Sequence, residues 1–424
     1  DFRTINDFRG QKLKGSIEKL FSQLVEMMVD LDLISLEKQF IDGTKIEANA
    51  HKYSFVWKKS VEKNKAKLHQ KINTVLSEIG QAIESDLIHT QNQEEITIDS
   101  QKLEEKIQAI NQNTKTAFLS KKQKKTVEKL EKEQLPKLQE YEKHLENLGD
   151  RNSYSKIDTD ATFMRMKEDH MKNGQLKAAY NVQISTENQI ITHFSVHQKS
   201  TDFTTLESHL EGFKNAYDKT SKQIIADAGY GSEENYQMLE QQQMEFFIPY
   251  NMYRMEQKRK HKNNLFHTQN LYHNIELDFL VCPMGQRMEK IYTKESKTTT
   301  GFLQQHSVYQ AQNCQGCPMR GQCFNAKGNR RIEINHNLQR LKAKARENLE
   351  NKEGKEIYAK RCIEPEPVFG NIKQNKHFKR FSLRKLTKIN IEFGLVAIAH
   401  NFAKWIEKIR LLGFIQNHRV IECF

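Results

Sequence analysis

Three acidic residues far apart in the chain have neighbours that suit them to metal chemistry. Asp42 lies in Phe40-Ile-Asp-Gly-Thr44 and Asp227 in Ile224-Ile-Ala-Asp-Ala-Gly-Tyr-Gly231. Each closes a short apolar run and is followed at once by Gly or Ala-Gly, the pattern of a carboxylate exposed at a strand end where the backbone turns. Glu366 sits between two prolines in Tyr358-Ala-Lys-Arg361-Cys-Ile-Glu-Pro-Glu366-Pro-Val-Phe-Gly-Asn-Ile-Lys373. Proline is tolerated in a first helical turn, so Glu366 is expected at a helix start with Lys373 two turns on along the same face. Three carboxylates so placed can hold two divalent cations about 3.5–4 Å apart, which activate a water or a 3′-hydroxyl and stabilise the leaving oxygen of a phosphodiester. Taken singly, each acid has a plainer reading as a turn, a strand end or a helix-start acid favoured by the dipole, and Arg361 and Lys373 as solvated charges. The order of the elements in one polypeptide favours the joint reading.

Those elements can be traced by periodicity. Residues 1 to about 35 read as helix, with Leu13, Ile17, Leu20, Phe21, Leu24 and Met28 at helical spacing, leading into a strand from Ile34 to Ile41. From Trp57 to about Leu148 the sequence is rich in Lys, Glu and Gln, with apolar residues such as Leu68, Ile72, Val75 and Ile79, then Val127, Leu130, Leu135 and Leu138, in helical register. An antiparallel helical hairpin inserted after the first strand fits this pattern. Lys121-Lys-Gln-Lys-Lys125 is a basic cluster able to meet phosphates. Lys177–Thr186 and Gln189–His197 alternate about Glu187-Asn188 as a hairpin, Asp202 caps a helix through Leu206, Leu210 and Phe213, Ser232 opens another helix, and Glu245–Pro249 forms a short strand. This order predicts an α/β fold, a mixed sheet flanked by helices. The expected segments are 1–57 (first helix and core strand), 58–150 (helical insertion), 151–250 (core), 251–340 (second insertion) and 341–424 (core helices carrying the third carboxylate).

Cys282, Cys314, Cys317 and Cys323 fall in the second insertion. A Cys-x₂-Cys pair with two further thiols can satisfy tetrahedral Zn²⁺, which would organise an insert with too little apolar sequence to fold alone. Free buried thiols are the alternative. Cys362 and Cys423 are isolated.

Together these residues resemble the insertion-sequence DDE transposases, whose catalytic core is RNase H-like and whose third carboxylate lies in a Tyr-Arg-Glu-Lys signature. The resemblance runs from Asp1 to about Lys404 and includes Phe40–Ala50, Ala179-Tyr-Asn-Val-Gln183, Asp202-Phe-Thr-Thr-Leu206, Asp227–Gly231, Glu366–Gly370 and Ile391-Glu-Phe-Gly394. It implies Asp42, Asp227 and Glu366 as catalytic acids and metal ligands for two Mg²⁺ or Mn²⁺ ions, with Tyr358, Arg361 and Lys373 completing the signature. Four residues separate Arg361 from Glu366 where three are commonest, while the six-residue gap from Glu366 to Lys373 is intact, which favours Glu366 over Glu364. The resemblance further implies cut-and-paste transposition on double-stranded DNA, at element ends and target, by a homodimer. An RNase H-like nuclease without strand transfer and an inactive, truncated DNA-binding remnant are the competing expectations. In the resembled family, the opening Asp1-Phe-Arg-Thr lies well inside the protein, so an N-terminal helical region is expected to be missing. Lys385 stands where those proteins usually carry glycine.

Bulk properties agree. The 424 residues carry 67 Lys and Arg against 54 Asp and Glu, a net charge of +13, which suits a polyanionic partner. No apolar run approaches the roughly 20 residues that span a bilayer. The expectation is a soluble, cytoplasmic protein associated with the bacterial nucleoid.

Overall fold

The computed structural model describes residues 1–83, 98–113, 121–166 and 174–421; Cys423 lies outside them. The chain divides into two compact units, one of Asp1–Thr44, Asn181–Lys379 and Asn390–Phe424, the other of Lys45–Tyr180 and Arg380–Ile389.

The first unit is built on a mixed sheet. Its strands are β1 (Lys38–Glu47), β2 (Leu176–Glu187), β3 (Ile190–His197), β4 (Gln223–Ile225) and β5 (Glu245–Phe247), in spatial order β3-β2-β1-β4-β5, and a sixth strand, Thr162–Arg165, pairs antiparallel with the Leu176–Ala179 start of β2. β2 and β3 are antiparallel, and their turn at Asn188 and Gln189 holds both residues at positive φ, 54° and 61°, which matches the twist of a two-residue hairpin. β1, β4 and β5 are parallel, with Phe40 opposite Ile225 and Ile225 opposite Phe247. The alternation along these strands feeds two cores. Ile41, Ile224 and Phe246 join Leu206, Leu210, Tyr236 and Leu341. Phe40, Ile225 and Phe247 join Leu349, Ile357 and the half-buried Tyr358. Parallel strands buried on both faces need this continuous apolar run, and Ile224-Ile225 and Phe246-Phe247 supply it.

The leading helix differs from the expected continuous one. The chain breaks at Gly15 (φ 76°), and the helix Ile17–Asp30 buries Ile17, Phe21, Leu24, Val25 and Met28 on one stripe. Leu20 falls off that stripe and is exposed. β1 also starts later than Ile34 and runs on to Glu47, so Asp42 lies inside the strand rather than closing it.

Residues 272–334 form a five-stranded antiparallel sheet in sequential order: Tyr272–Asn274, Phe279–Val281, Arg287–Lys297, Leu303–Ala311 and Arg331–Ile334. Leu271, Leu280, Met288, Tyr309, Ala311, Ile332 and Ile334 make its core, with Cys282 and Cys314 packed against it. The expectation of too little apolar sequence is therefore corrected, because alternate residues of these strands suffice for one face.

In the second unit the helical segment is more than a hairpin. Helices Lys58–Ile83, Ser100–Asn113, Lys121–Lys129 and Leu135–Leu148 share a core of Leu68, Ile72, Leu76, Ile79, Leu103, Ile107, Ile110, Val127, Leu130 and Leu138. A widened turn at Leu130–Gln134 precedes Pro136, whose missing N–H breaks the regular ladder there. Lys121, Lys122, Lys124 and Lys125 are all exposed. Lys385 adopts φ 75° while its N–H donates to Asp158 Oδ1 at 3.1 Å, a left-handed backbone that glycine takes without cost.

Candidate active site

Phe40 and Ile225 are direct partners across β1 and β4, and Asp42 and Asp227 each come two residues later. Alternation sends both carboxylates toward the sheet face that carries Leu349, Ile357 and Tyr358. Asp42 Oδ1 accepts from the Gly43 N–H at 2.9 Å. Asp227 begins a single turn, Ala228–Tyr230, and its Oδ1 accepts from the Gly229 N–H at 2.7 Å. Both acids are half-buried.

The helix Lys352–Ala359 lays Ile357 and Tyr358 on that same face, and the turn Lys360–Ile363 then directs Arg361 back at the acids. Arg361 Nη1 donates to Glu366 Oε1 at 2.8 Å, and Nη2 stands 3.7 Å from Asp227 Oδ2. Burial works against the Arg361 charge, but Asp42, Tyr358, Asp227 and Glu366 together outweigh it and hold the proton more tightly than usual. One guanidinium thus gathers the charges of all three acids. Its Nε is buried without a hydrogen-bond partner. Tyr230, fully buried beneath, has its phenol pushed up well above the ordinary value by burial and then by the negative charges of Asp202, Asp42 and Asp227.

Glu366 occupies the first turn of the helix Pro365–Gly370, preceded by Pro365 and exposed to solvent. Glu364 is different in kind. It is buried, its Oε2 accepts from the Gln189 N–H at 2.8 Å, and burial raises its pKa. That carboxylate is committed to the β2–β3 turn. Lys373 lies in the widened turn Asn371–Asn375 that continues the Glu366 helix, and it is buried rather than a solvated charge.

One residue of the cluster had a different expected role. Asp202 was expected to cap a helix, yet the helix Leu206–Tyr217 has no side-chain cap. Instead Asp202 Oδ1 accepts from Asn181 Nδ2 at 2.8 Å and Gln183 Nε2 at 3.0 Å. The sequence signal for this was available in the i, i+2 amides of Asn181-Val-Gln183, which alternation places on one face of β2.

Among the described residues no group of three His, Cys, Asp or Glu side chains stands close enough together to hold a metal ion. This holds for Cys282, Cys314, Cys317 and Cys323, expected to hold Zn²⁺, and for the acids alike. Cys282, Cys314, Cys317 and Cys323 are free thiols, and Arg330 engages two of them, its backbone N–H reaching Cys314 Sγ at 3.4 Å and its Nη1 reaching Cys323 Sγ at 3.0 Å. Cys282 and Cys314 also pack against the core of the five-stranded sheet. Among the acids, Glu366 is turned onto Arg361.

Residues 281–406 match the family model described as a transposase DDE domain. The matched span contains Tyr358, Arg361, Glu366 and Lys373, and stops short of Asp42 and Asp227, which precede it. This match supports a DDE transposase, an enzyme of the polynucleotidyl transferase and nuclease class that acts on DNA and generally uses divalent metal ions. Comparison with curated proteins and with solved structures gave no match. No described helix is long and apolar enough to cross a membrane.

Proposed function

We propose that this chain is a cut-and-paste DNA transposase of the insertion-sequence kind with an RNase H-like core, in which Asp42, Asp227 and Glu366 are the metal-binding catalytic acids. The observation that carries the reading is Arg361, a half-buried cation drawn to one acid in β1, a second in the turn just after the adjacent parallel strand β4, and a third at a helix start inside the matched domain. The donor set fits Mg²⁺ or Mn²⁺, since it is made of carboxylate oxygens alone. A bound ion pair supplies activation of a water or 3′-hydroxyl and stabilisation of the leaving oxygen. The chain's own part is positional. The two glycine N–H groups hold Asp42 and Asp227 by one oxygen each, which fixes the carboxylate planes. Glu366, exposed on a one-turn helix, rotates from Arg361 to complete the acid set. Arg361 is then left with its unpaired Nε and released Nη1 to bind a phosphate oxygen of the DNA. Lys373 buttresses the helix that carries Glu366. The surplus of basic residues supplies sequence-independent attraction to the duplex.

The test is Mg²⁺- or Mn²⁺-dependent cleavage of DNA by Asp42→Ala, Asp227→Ala and Glu366→Ala, with Glu364→Gln as the control acid. Each of the three is expected to abolish cleavage while DNA affinity stays within about threefold, because affinity rests on phosphate contacts. Glu364→Gln is expected to keep cleavage in its folded fraction. Activity of Glu366→Ala within tenfold of the parent would falsify its assignment. Joining of a pre-cut 3′-hydroxyl end to a second duplex separates transposase from nuclease: cleavage without joining would favour the nuclease.

A further inference from the structure

Asp202 places a fourth carboxylate at the acid cluster, and its surroundings are built rather than accidental. Both amides on its Oδ1 come from fully buried side chains, Asn181 and Gln183. Gln183 Nε2 also donates to Asn181 Oδ1 at 3.0 Å, and its Oε1 accepts from the buried Tyr230 hydroxyl. This chain of neutral donors aims the Asp202 carboxylate without cancelling its charge. Its position is equally constrained. A Cβ on Gly43 would stand 2.3 Å from Gln183 Nε2 and 2.8 Å from Asp202 Oδ1, and a Cβ on Gly229 would stand 3.7 Å from Asp202 Oδ2. The Asp202–Gln183 pair therefore lies against β1 at Gly43 and against the turn that follows Asp227. The glycine at 43 is what lets it fit, while at 229 a Cβ would reach Asp202 only at ordinary contact distance.

Holding a negative charge between two other acids costs free energy unless cations arrive, since like charges at this range repel. Arg361 Nη2, 3.7 Å from Asp227 Oδ2, offsets part of that repulsion. We propose that Asp202 is a positioning residue for the metal pair: lying against the Gly43 and Gly229 backbones, it sets the separation of Asp42 and Asp227, and its charge adds to the field that draws divalent cations between them. The inference rests on the reading of Asp42 and Asp227 as metal ligands. Outer-shell partners of this sort typically change metal affinity 10–100-fold when altered.

The experiment titrates Mn²⁺ into the full chain and follows free Mn²⁺ by electron paramagnetic resonance, for the parent, Asp227→Ala, Asp202→Asn and Asn181→Ala. Asp202→Asn keeps the size and removes the charge. It is expected to weaken Mn²⁺ binding about 10–100-fold while metal-free melting is unchanged or higher, an outcome that a purely structural role would not give. Asn181→Ala keeps the charge and removes one of the donors that aim it, so a smaller loss is expected, and this variant carries the test if Asp202→Asn fails to fold. Binding by both variants within about twofold of the parent, with Asp227→Ala impaired, overturns the role of Asp202 and leaves the proposed function standing. A parent that binds no Mn²⁺, or an Asp227→Ala variant that binds like the parent, overturns both.

Discussion

Replacing Arg361 with methionine keeps the length of the side chain and removes the charge that the acids surround. At 3.7 Å from Asp227, with the two side chains 13% and 32% exposed, the Coulomb attraction is roughly 4–5 kcal/mol at an effective dielectric of about 20. The Glu366 arm is shorter, but Glu366 is 50% exposed, and such a pair contributes about 1 kcal/mol or less. Recovering the solvation of the buried guanidinium offsets part of the sum. We predict a net loss of about 2–3 kcal/mol in metal-free protein at neutral pH, because the variant leaves the carboxylates facing one another. Urea unfolding is the assay, chosen because guanidinium salt screens the very interaction at issue. Repeated with millimolar Mn²⁺, the difference should shrink below about 1 kcal/mol as cations take over the neutralisation. The reasoning fails if the loss is below about 0.5 kcal/mol, or if it is the same with and without Mn²⁺.

Further outcomes follow from groups outside the acid cluster. Ser195 bonds to the half-buried His197 and the buried His209, the half-buried His193 ring lies against His209, and desolvation is the leading cause that lowers His193 to about 3, His197 to about 4 and His209 well below the ordinary value. Their folded values lie below the unfolded value near 6.5, so the unfolded chain binds more protons in between, and stability is full above about pH 6.5 and falls as pH drops toward 4. Each should contribute a loss on the order of 2 kcal/mol at pH 5; a His209→Asn variant should flatten this slope, and an unchanged stability–pH profile between 7 and 5 refutes the account. Lys385→Gly relieves the left-handed backbone at φ 75° and should raise stability by about 0.5–1 kcal/mol, whereas a lower melting temperature would mean the lysine side chain matters more than its backbone.

Much of the first unit could be read from its sequence because the signals were local. The hairpin of β2 and β3, the helix opened by Ser232 and the strand at Glu245 all follow period-two alternation or a cap, and Ser232 Oγ does accept from the Asn235 N–H at 3.2 Å. The preference for Glu366 over Glu364 rests on spacing alone, which says nothing of their surroundings: Glu364 accepts from the Gln189 N–H and Glu366 from Arg361. What escaped was decided by tertiary contact. Asp202 looks like any helix-start aspartate until Asn181 and Gln183, some 20 residues earlier, are set beside it. Leu20 matches the helical period and still faces solvent, because a stripe has edges that periodicity alone does not locate. Cysteine spacing likewise says nothing about a nearby arginine, and Arg330 contacts two of the four thiols, Cys314 and Cys323. The four-helix core of the second unit was read as two helices because a charged, glycine-poor stretch hides its breaks.

The register that sets Lys38 opposite Gln223 also has a kinetic meaning. That pairing closes a stretch of 185 residues (223 − 38), and loop closure of this span must come before any contact rewards it. Meanwhile the helices between Lys58 and Leu148 draw on neighbours close in sequence, so they can form while the ribosome is still making β4. β1 must wait with Phe40 and Ile41 uncovered, and Glu366 is made later still. A newly made chain therefore passes through its aggregation-prone stage before Asp42, Asp227 and Glu366 can be brought together, so the hazard of synthesis and the completion of the acid cluster belong to separate moments.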